Sequence, residues 1–413
     1  MNLKHFSVNL PIMNKMKKVS HIFALITALM LAACGEDRSN EYYELTKENR
    51  WIYDNMKEAY LWKNEIGDIA QQTYFNTSAQ FFKKLLNKED NVSFLTADDA
   101  VSYGIKYSLM RDPLGVSPSK VYALVEYVEP NSVAAAAGIE RGMWISAIDG
   151  KGLYMSSTTL GNGAALQLTI CNIIQDASNE ALMWSEGETY AVAAATQLAT
   201  PALPISKTIV CGSKNATYIL LNTFDGQDAV ESLSSAVAEF DTQDIILDLR
   251  FNESYNIGDA ATAAALFAPA NRAESAFCTI YKDINFDTHE RILFPASSIN
   301  VADKNLYIIT SGATKGVANI FIEAVKSVRD SNTIIAGTSP AKSDLLTEKR
   351  ASPYGFSIHP ATAIIADAYG NLLQGITPDL PIDATGAYDA IYPLGDEREY
   401  ILHNICERIS TGN

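Results

Sequence analysis

The stretch from residue 306 to 328, LYIITSGATKGVANIFIEAVKSV, constrains the chain more than any other, because it reads as a buried strand, a tight glycine-containing turn and an amphipathic helix. Residues 306–310 form an apolar, β-branched run, and Val317, Ile320, Phe321, Ala324, Val325 and Val328 then recur at helical spacing on one face. Hydrolytic α/β folds present a nucleophile in this way. A side chain in the first helical turn sits beside unpaired backbone N–H groups and the positive end of the helix dipole, where a developing oxyanion is stabilised. The spacing puts Gly316 at that point, and glycine offers no nucleophile.

The same alternation runs through the C-terminal half. Strands are expected over 216–221, 245–249 and 306–310, with helices over 227–240, 259–267 and from 316 onward. Strands alternating with helices predict an α/β class with a mostly parallel sheet and ligands at the strand ends. A chain of 413 residues holds two or three such domains. The expected division is a leader over 1–33, a tether and small helical cap over 34–98, a β-domain over 99–204 and the α/β domain over 205–413. In the cap, Thr46 is the expected N-cap of a helix reaching about residue 64, and a second helix is expected over 78–87.

The leader bears on location. Lys15, Lys17 and Lys18 precede an apolar run from Ile22 to Ala33, the length of a secretory signal and too short for a membrane span. It ends in Leu31-Ala32-Ala33-Cys34, which resembles a bacterial lipobox and implies lipid attachment at Cys34 after cleavage. The expected address is the cell envelope of a Gram-negative bacterium, lipid-anchored at the outer membrane, with the periplasmic or surface face left open. The formal charge is −16; the leader's four lysines and no acids mean that the remainder carries −20. Such acidity argues against nucleic acid as a partner. The remaining cysteines, Cys171, Cys211, Cys278 and Cys406, and the histidines His289, His359 and His403 are too scattered for a metal site, so no metal or cofactor is expected. Disulfides and four buried free thiols both remain open for these cysteines.

Between residues 102 and 150 the texture changes to short strands, expected over 103–109, 121–128 and 144–148. The pattern V-x-x-V-x-P-x-S-x-A-x-x-A-G-I-x-x-G-x-x-I-x-x-I-x-G from Val125 to Gly150 resembles a PDZ domain, with Met143 where the family usually has Asp. The resemblance implies capture of peptide C-termini by strand addition. Tyr103, Gly104, Ile105 and Lys106 would form the loop whose N–H groups receive the carboxylate.

The order of Tyr218-Ile219-Leu220-Leu221-Asn222-Thr223-Phe224, then Asp248-Leu249-Arg250-Phe251-Asn252, then the 306–328 stretch, then Gly375-Ile376-Thr377-Pro378-Asp379, resembles the tail-specific (carboxyl-terminal processing) serine peptidases. That resemblance implies a ClpP/crotonase-like fold and a Ser/Lys dyad, in which a neutral lysine takes the serine proton. Gly316 holds the nucleophile position and Lys342, in Gly337-Thr338-Ser339-Pro340-Ala341-Lys342, is the remnant base. The glycines of the family's oxyanion turn fall on Ser254 and Tyr255, beside the acid Glu253. A peptidase scaffold that binds peptide tails or a partner without cleaving them is the leading reading. The alternatives are an active serine peptidase using Ser311 or Thr314, with Lys315 or Lys342 as base, and a structural subunit beside an active homologue.

Overall fold

A computed structural model describes residues 39–157, 160–178, 181–329, 332–383, 388 and 391–412, so Cys34 and the leader lie outside it. The described chain forms two units, one of residues up to 54 with 68–84, the other of 55–67 with 85–412.

The helix Ser39–Ala59, which belongs to the first unit as far as residue 54, begins well before Thr46. Thr46 is no N-cap: it is buried inside the helix and its hydroxyl donates to the Tyr42 carbonyl one turn back, at 2.7 Å. The helix takes in Ser39 and Asn40 and ends at Ala59 rather than near residue 64. Asn49 donates to the carbonyls of Tyr74 and Asn76 and so holds the short Gln71–Phe75 turn to the helix.

In the second unit a six-stranded sheet runs in the order Ile205–Cys211, Lys214–Leu220, Asp244–Asp248, Asn305–Thr310, Thr333–Gly337 and Leu380–Pro381. The first pair is antiparallel and every later pair parallel. Its central strands are apolar on both sides because both faces are covered. Ile219, Leu247 and Ile308 face the helices Gln227–Glu239, Ile257–Ala265 and Ala318–Val328. Tyr218, Ile246 and Ile309 face Leu402, Ile405 and Ile409 of the C-terminal helix Tyr400–Thr411. A disulfide between Cys211 and Cys406 fastens that helix to the sheet edge, whereas Cys171 and Cys278 are buried free thiols.

An antiparallel sheet precedes this core, in the order Ile105–Arg111, Val121–Val128, Trp144–Ile148, Leu166–Cys171 and Glu188–Val192. The short helix Val133–Ala136 is capped by Ser132, whose hydroxyl accepts from the Ala135 N–H. Strand Ile105–Arg111 lies at the sheet edge and starts two residues later than the sequence suggests. Gly104, with φ of +80°, turns the chain there, and a Cβ on it would overlap Ser132. The molecule is mixed α/β.

Candidate functional site

The site lies where the strands Asp244–Asp248 and Asn305–Thr310 end side by side. The chain beyond Asp248 closes a tight turn through Asn252, whose N–H donates to the Leu249 carbonyl at 2.9 Å. Glu253–Ser254 then pairs in parallel with Lys315–Gly316, giving a two-residue bridge just ahead of the helix. The helix itself starts at Ala318, so Gly316 stands before the helix and not in its first turn. Its φ is +70°, and a Cβ there would lie 2.0 Å from the Ser254 carbonyl oxygen. That oxygen also accepts from the Val317 N–H at 2.8 Å. Glycine is therefore required by the backbone as it stands, which its place in the sequence pattern did not reveal.

In the turn at Ser254 and Tyr255 the Tyr255 N–H is already taken. Both oxygens of the Asp225 carboxylate accept from the Tyr255 N–H at 2.9 Å, and one accepts from the Asn256 N–H at 2.8 Å. Burial pushes the Asp225 carboxyl above its ordinary range, against the two N–H groups that favour its charged form. Ser254 is fully buried, its hydroxyl accepting from the Phe224 N–H and donating to Asn252. Glu253 is paired with Lys315 at 2.9 Å and accepts from the Tyr255 hydroxyl. The Tyr255 ring lies beside those of Phe94 and His359.

The alternative hydroxyls are tied to the same turn. Ser311 donates to the Arg250 carbonyl at 2.6 Å, and Thr314, buried, donates to the Leu249 carbonyl at 2.8 Å. Lys342 is exposed and paired with Asp344 at 2.7 Å. Among the described residues no hydrogen bond joins Ser311 or Thr314 to Lys342 or Lys315, so the structure does not bring the expected dyad together.

The four residues at the start of the edge strand also separate. The Tyr103 hydroxyl donates to the Ala164 carbonyl, and the Gly104 N–H is taken by the Ser102 hydroxyl. Ile105, Lys106 and Tyr107 line a groove with Leu109 and Ser157. The Lys106 ammonium reaches toward the α/β core, lying 3.4 Å from the Phe251 carbonyl and over the rings of Phe251 and Tyr127. Burial lowers its pKa, against the Glu129 and Glu253 carboxylates.

Sequence reasoning missed two groups. Asp225 lies 30 residues from the N–H groups it fills, with no local pattern to mark it. Glu399 sits 2% exposed between two guanidiniums, those of Arg250 at 2.8 Å and Arg141 at 3.2 Å, while Arg250 also pairs with Asp248 at 2.9 Å. Burial alone would raise the Glu399 carboxyl, but the Arg250 and Arg141 guanidiniums hold it at about 2. Arg250 of the Asp-Leu-Arg motif was the one available signal. Among the described residues no group of three or more His, Cys, Asp or Glu side chains could hold a metal ion.

Residues 47–103 match the family model for the peptidase S41 N-terminal domain, and residues 215–382 match that for peptidase family S41. The chain is an S41 peptidase homologue. Among solved structures, a putative S41 protease from Bacteroides fragilis aligns at a TM-score of 0.71 and 22% identity, over 88% of this chain and 97% of that one. The photosystem II D1 C-terminal processing protease aligns at 0.51 and 14%, over 86% and 99%. At these identities both likenesses bear on the fold. None of the curated proteins compared with the chain matches it. The Gly-Ile-x-Pro-Asp motif, which falls within the S41 match, has a structural role here: Asp379 accepts from the Ile335 N–H at 2.9 Å and pairs with Lys326 at 2.5 Å, locking the last strand to the sheet.

Proposed function

We propose that this S41 homologue binds peptide or protein C-termini and does not cleave them. The observation that carries this reading is the bridge at Gly316. The residue assigned to the nucleophile cannot bear a side chain without moving the Ser254 carbonyl, and in the turn assigned to the oxyanion the Tyr255 N–H, with that of Asn256 beside it, already holds the Asp225 carboxylate. An acyl-transfer site needs both a nucleophile and a free hydrogen-bond donor for the oxyanion. Residual S41 ancestry, with a ClpP/crotonase-like core behind a PDZ domain, is the frame in which such a loss leaves binding intact.

The binding element in this reading is the edge strand Ile105–Arg111. Among the described residues only one of its sides is taken in the sheet, and the groove lined by Ile105, Lys106, Tyr107, Leu109 and Ser157 runs along it. A peptide added as a further strand would gain main-chain hydrogen bonds there and place its carboxylate near Gly104 and Ile105. Peptides with a free C-terminus are expected to bind at least tenfold more tightly than the same peptides amidated, measured by fluorescence anisotropy on the whole protein. Equal affinity for both forms would remove the tail-binding claim and leave the structural-subunit reading.

The lipid anchor at Cys34 belongs to the same proposal. Cys34→Ser is expected to leave the protein in the soluble envelope fraction, or uncleaved, with a mature mass lacking any acyl chains. A membrane-bound variant of unchanged mass would refute the anchor.

A further inference from the structure

Beside the C-terminal half of the helix Ala318–Val328 is a cavity of about 450 Å³, within the size range of small-molecule pockets. It shares no lining residue with the groove along Ile105–Arg111, and none of Gly316, Lys342, Ser254 and Tyr255 lines it. Glu323, Lys326 and Ser327 reach it from one face of the helix, at i, i+3 and i+4, while Phe321, Ala324 and Val325 are buried in the core. Ile335, Leu372 and Ile376 give it an apolar wall.

Of the three charged side chains on that wall, two are already partnered. The Lys326 ammonium pairs with Asp379 at 2.5 Å. The Asp367 carboxylate accepts from the N–H groups of Tyr369 and Asn371, both at 2.8 Å. Glu323 is the third. It is half-buried, and among the described residues no hydrogen bond or ion pair reaches its carboxylate. Burial raises its pKa, and the like charge of Asp367 adds to the rise. A carboxylate so placed is stabilised by a cation that brings its own donors. A bare metal ion is poorly served there, since among the described residues no three His, Cys, Asp or Glu side chains gather to hold one. An ammonium is a compact charge with three donors, and an apolar stem behind it matches the rest of the wall.

We infer that this cavity binds a small organic cation, a primary ammonium on an apolar stem, its charge on the Glu323 carboxylate and its stem against Ile335, Leu372 and Ile376. The inference does not rest on tail binding, which uses the edge strand Ile105–Arg111. Two sources share this chemistry, a free alkylamine and the lysine side chain of a peptide.

Isothermal titration of the whole protein at neutral pH with hexylamine, hexanol and Nα-acetyllysine amide tests the inference. Hexylamine or Nα-acetyllysine amide is expected to bind one to one, and the tighter of the two identifies the source. Hexanol, which keeps the stem and lacks the charge, should bind at least about tenfold more weakly than hexylamine. Glu323→Gln keeps the shape of the side chain and should weaken amine binding by a similar factor. Ser327→Trp, at an exposed position on the cavity wall, should exclude both amines while leaving the packed face of the helix intact. The inference is overturned if neither amine binds saturably, if hexanol equals hexylamine, or if amine binding survives both Glu323→Gln and Ser327→Trp. The hexanol comparison uses the unaltered protein, so it decides the matter even if a variant misfolds.

Discussion

Gly316→Ser is expected to destabilise the protein by roughly 3 kcal/mol and to restore no peptidase activity. A left-handed backbone costs a residue with a Cβ about 1–2 kcal/mol. The new Cβ must also displace the Ser254 carbonyl, which lies 2.0 Å from its position and accepts from Val317. Losing that hydrogen bond adds about 1 kcal/mol. Clearing the side chains of the turn with Glu253→Gly, Ser254→Gly and Tyr255→Gly does not help, because the obstruction is the backbone carbonyl of residue 254 and the anion on the N–H groups is Asp225. Urea denaturation of Gly316→Ser beside the unaltered protein checks the stability, and a peptide-cleavage assay checks the activity. A variant as stable as the original, with new turnover, would mean that the bridge yields easily and that one lost serine was the whole defect.

Glu399→Ala is expected to cost about 3–5 kcal/mol, since it leaves Arg250 and Arg141 buried against each other with Asp248 as the remaining partner. The milder Glu399→Gln separates charge from shape, because its amide oxygen can still cap the C-terminal helix at the Leu402 N–H. The carboxyl is held at about 2 in the folded protein against an ordinary value of 4.5. A depressed folded value means that the unfolded chain binds the proton first as pH falls. The stabilisation is therefore complete above about pH 5 and is lost between 4.5 and 2, for a total of about 3 kcal/mol. The stability gap between the original protein and Glu399→Gln should close over that window. A gap independent of pH would show that packing, and not the charge, is what Glu399 contributes.

The elements most legible in the sequence are those whose own residues determine them. Val121–Val128 and Trp144–Ile148 fall where alternation and the short capped helix between them put them. The strand Asn305–Thr310 is apolar from Leu306 to Ile309 because helices cover both sheet faces. The start of the following helix was misjudged by two residues, since a glycine beside a helix gives no sign from sequence of whether its φ is positive. The helix Tyr400–Thr411 was overlooked although Ile401, Leu402, Ile405, Cys406 and Ile409 carry the helical period. The long-range groups were out of reach for a physical reason. Asp225 to Tyr255, Arg141 to Glu399 and Cys211 to Cys406 are pairings created by the fold, each between segments whose local patterns are complete without the other.

On the proposed reading the S41 fold is kept here without its chemistry. The most direct measurement is mass spectrometry of an unstructured peptide incubated with purified protein, beside a Ser311→Ala preparation made in the same host. The expected result is no cleavage by the unaltered protein above that of Ser311→Ala, at any enzyme concentration. Cleavage that rises in proportion to the unaltered protein and disappears in Ser311→Ala would contradict the account, and would place the working nucleophile on the turn at residue 311.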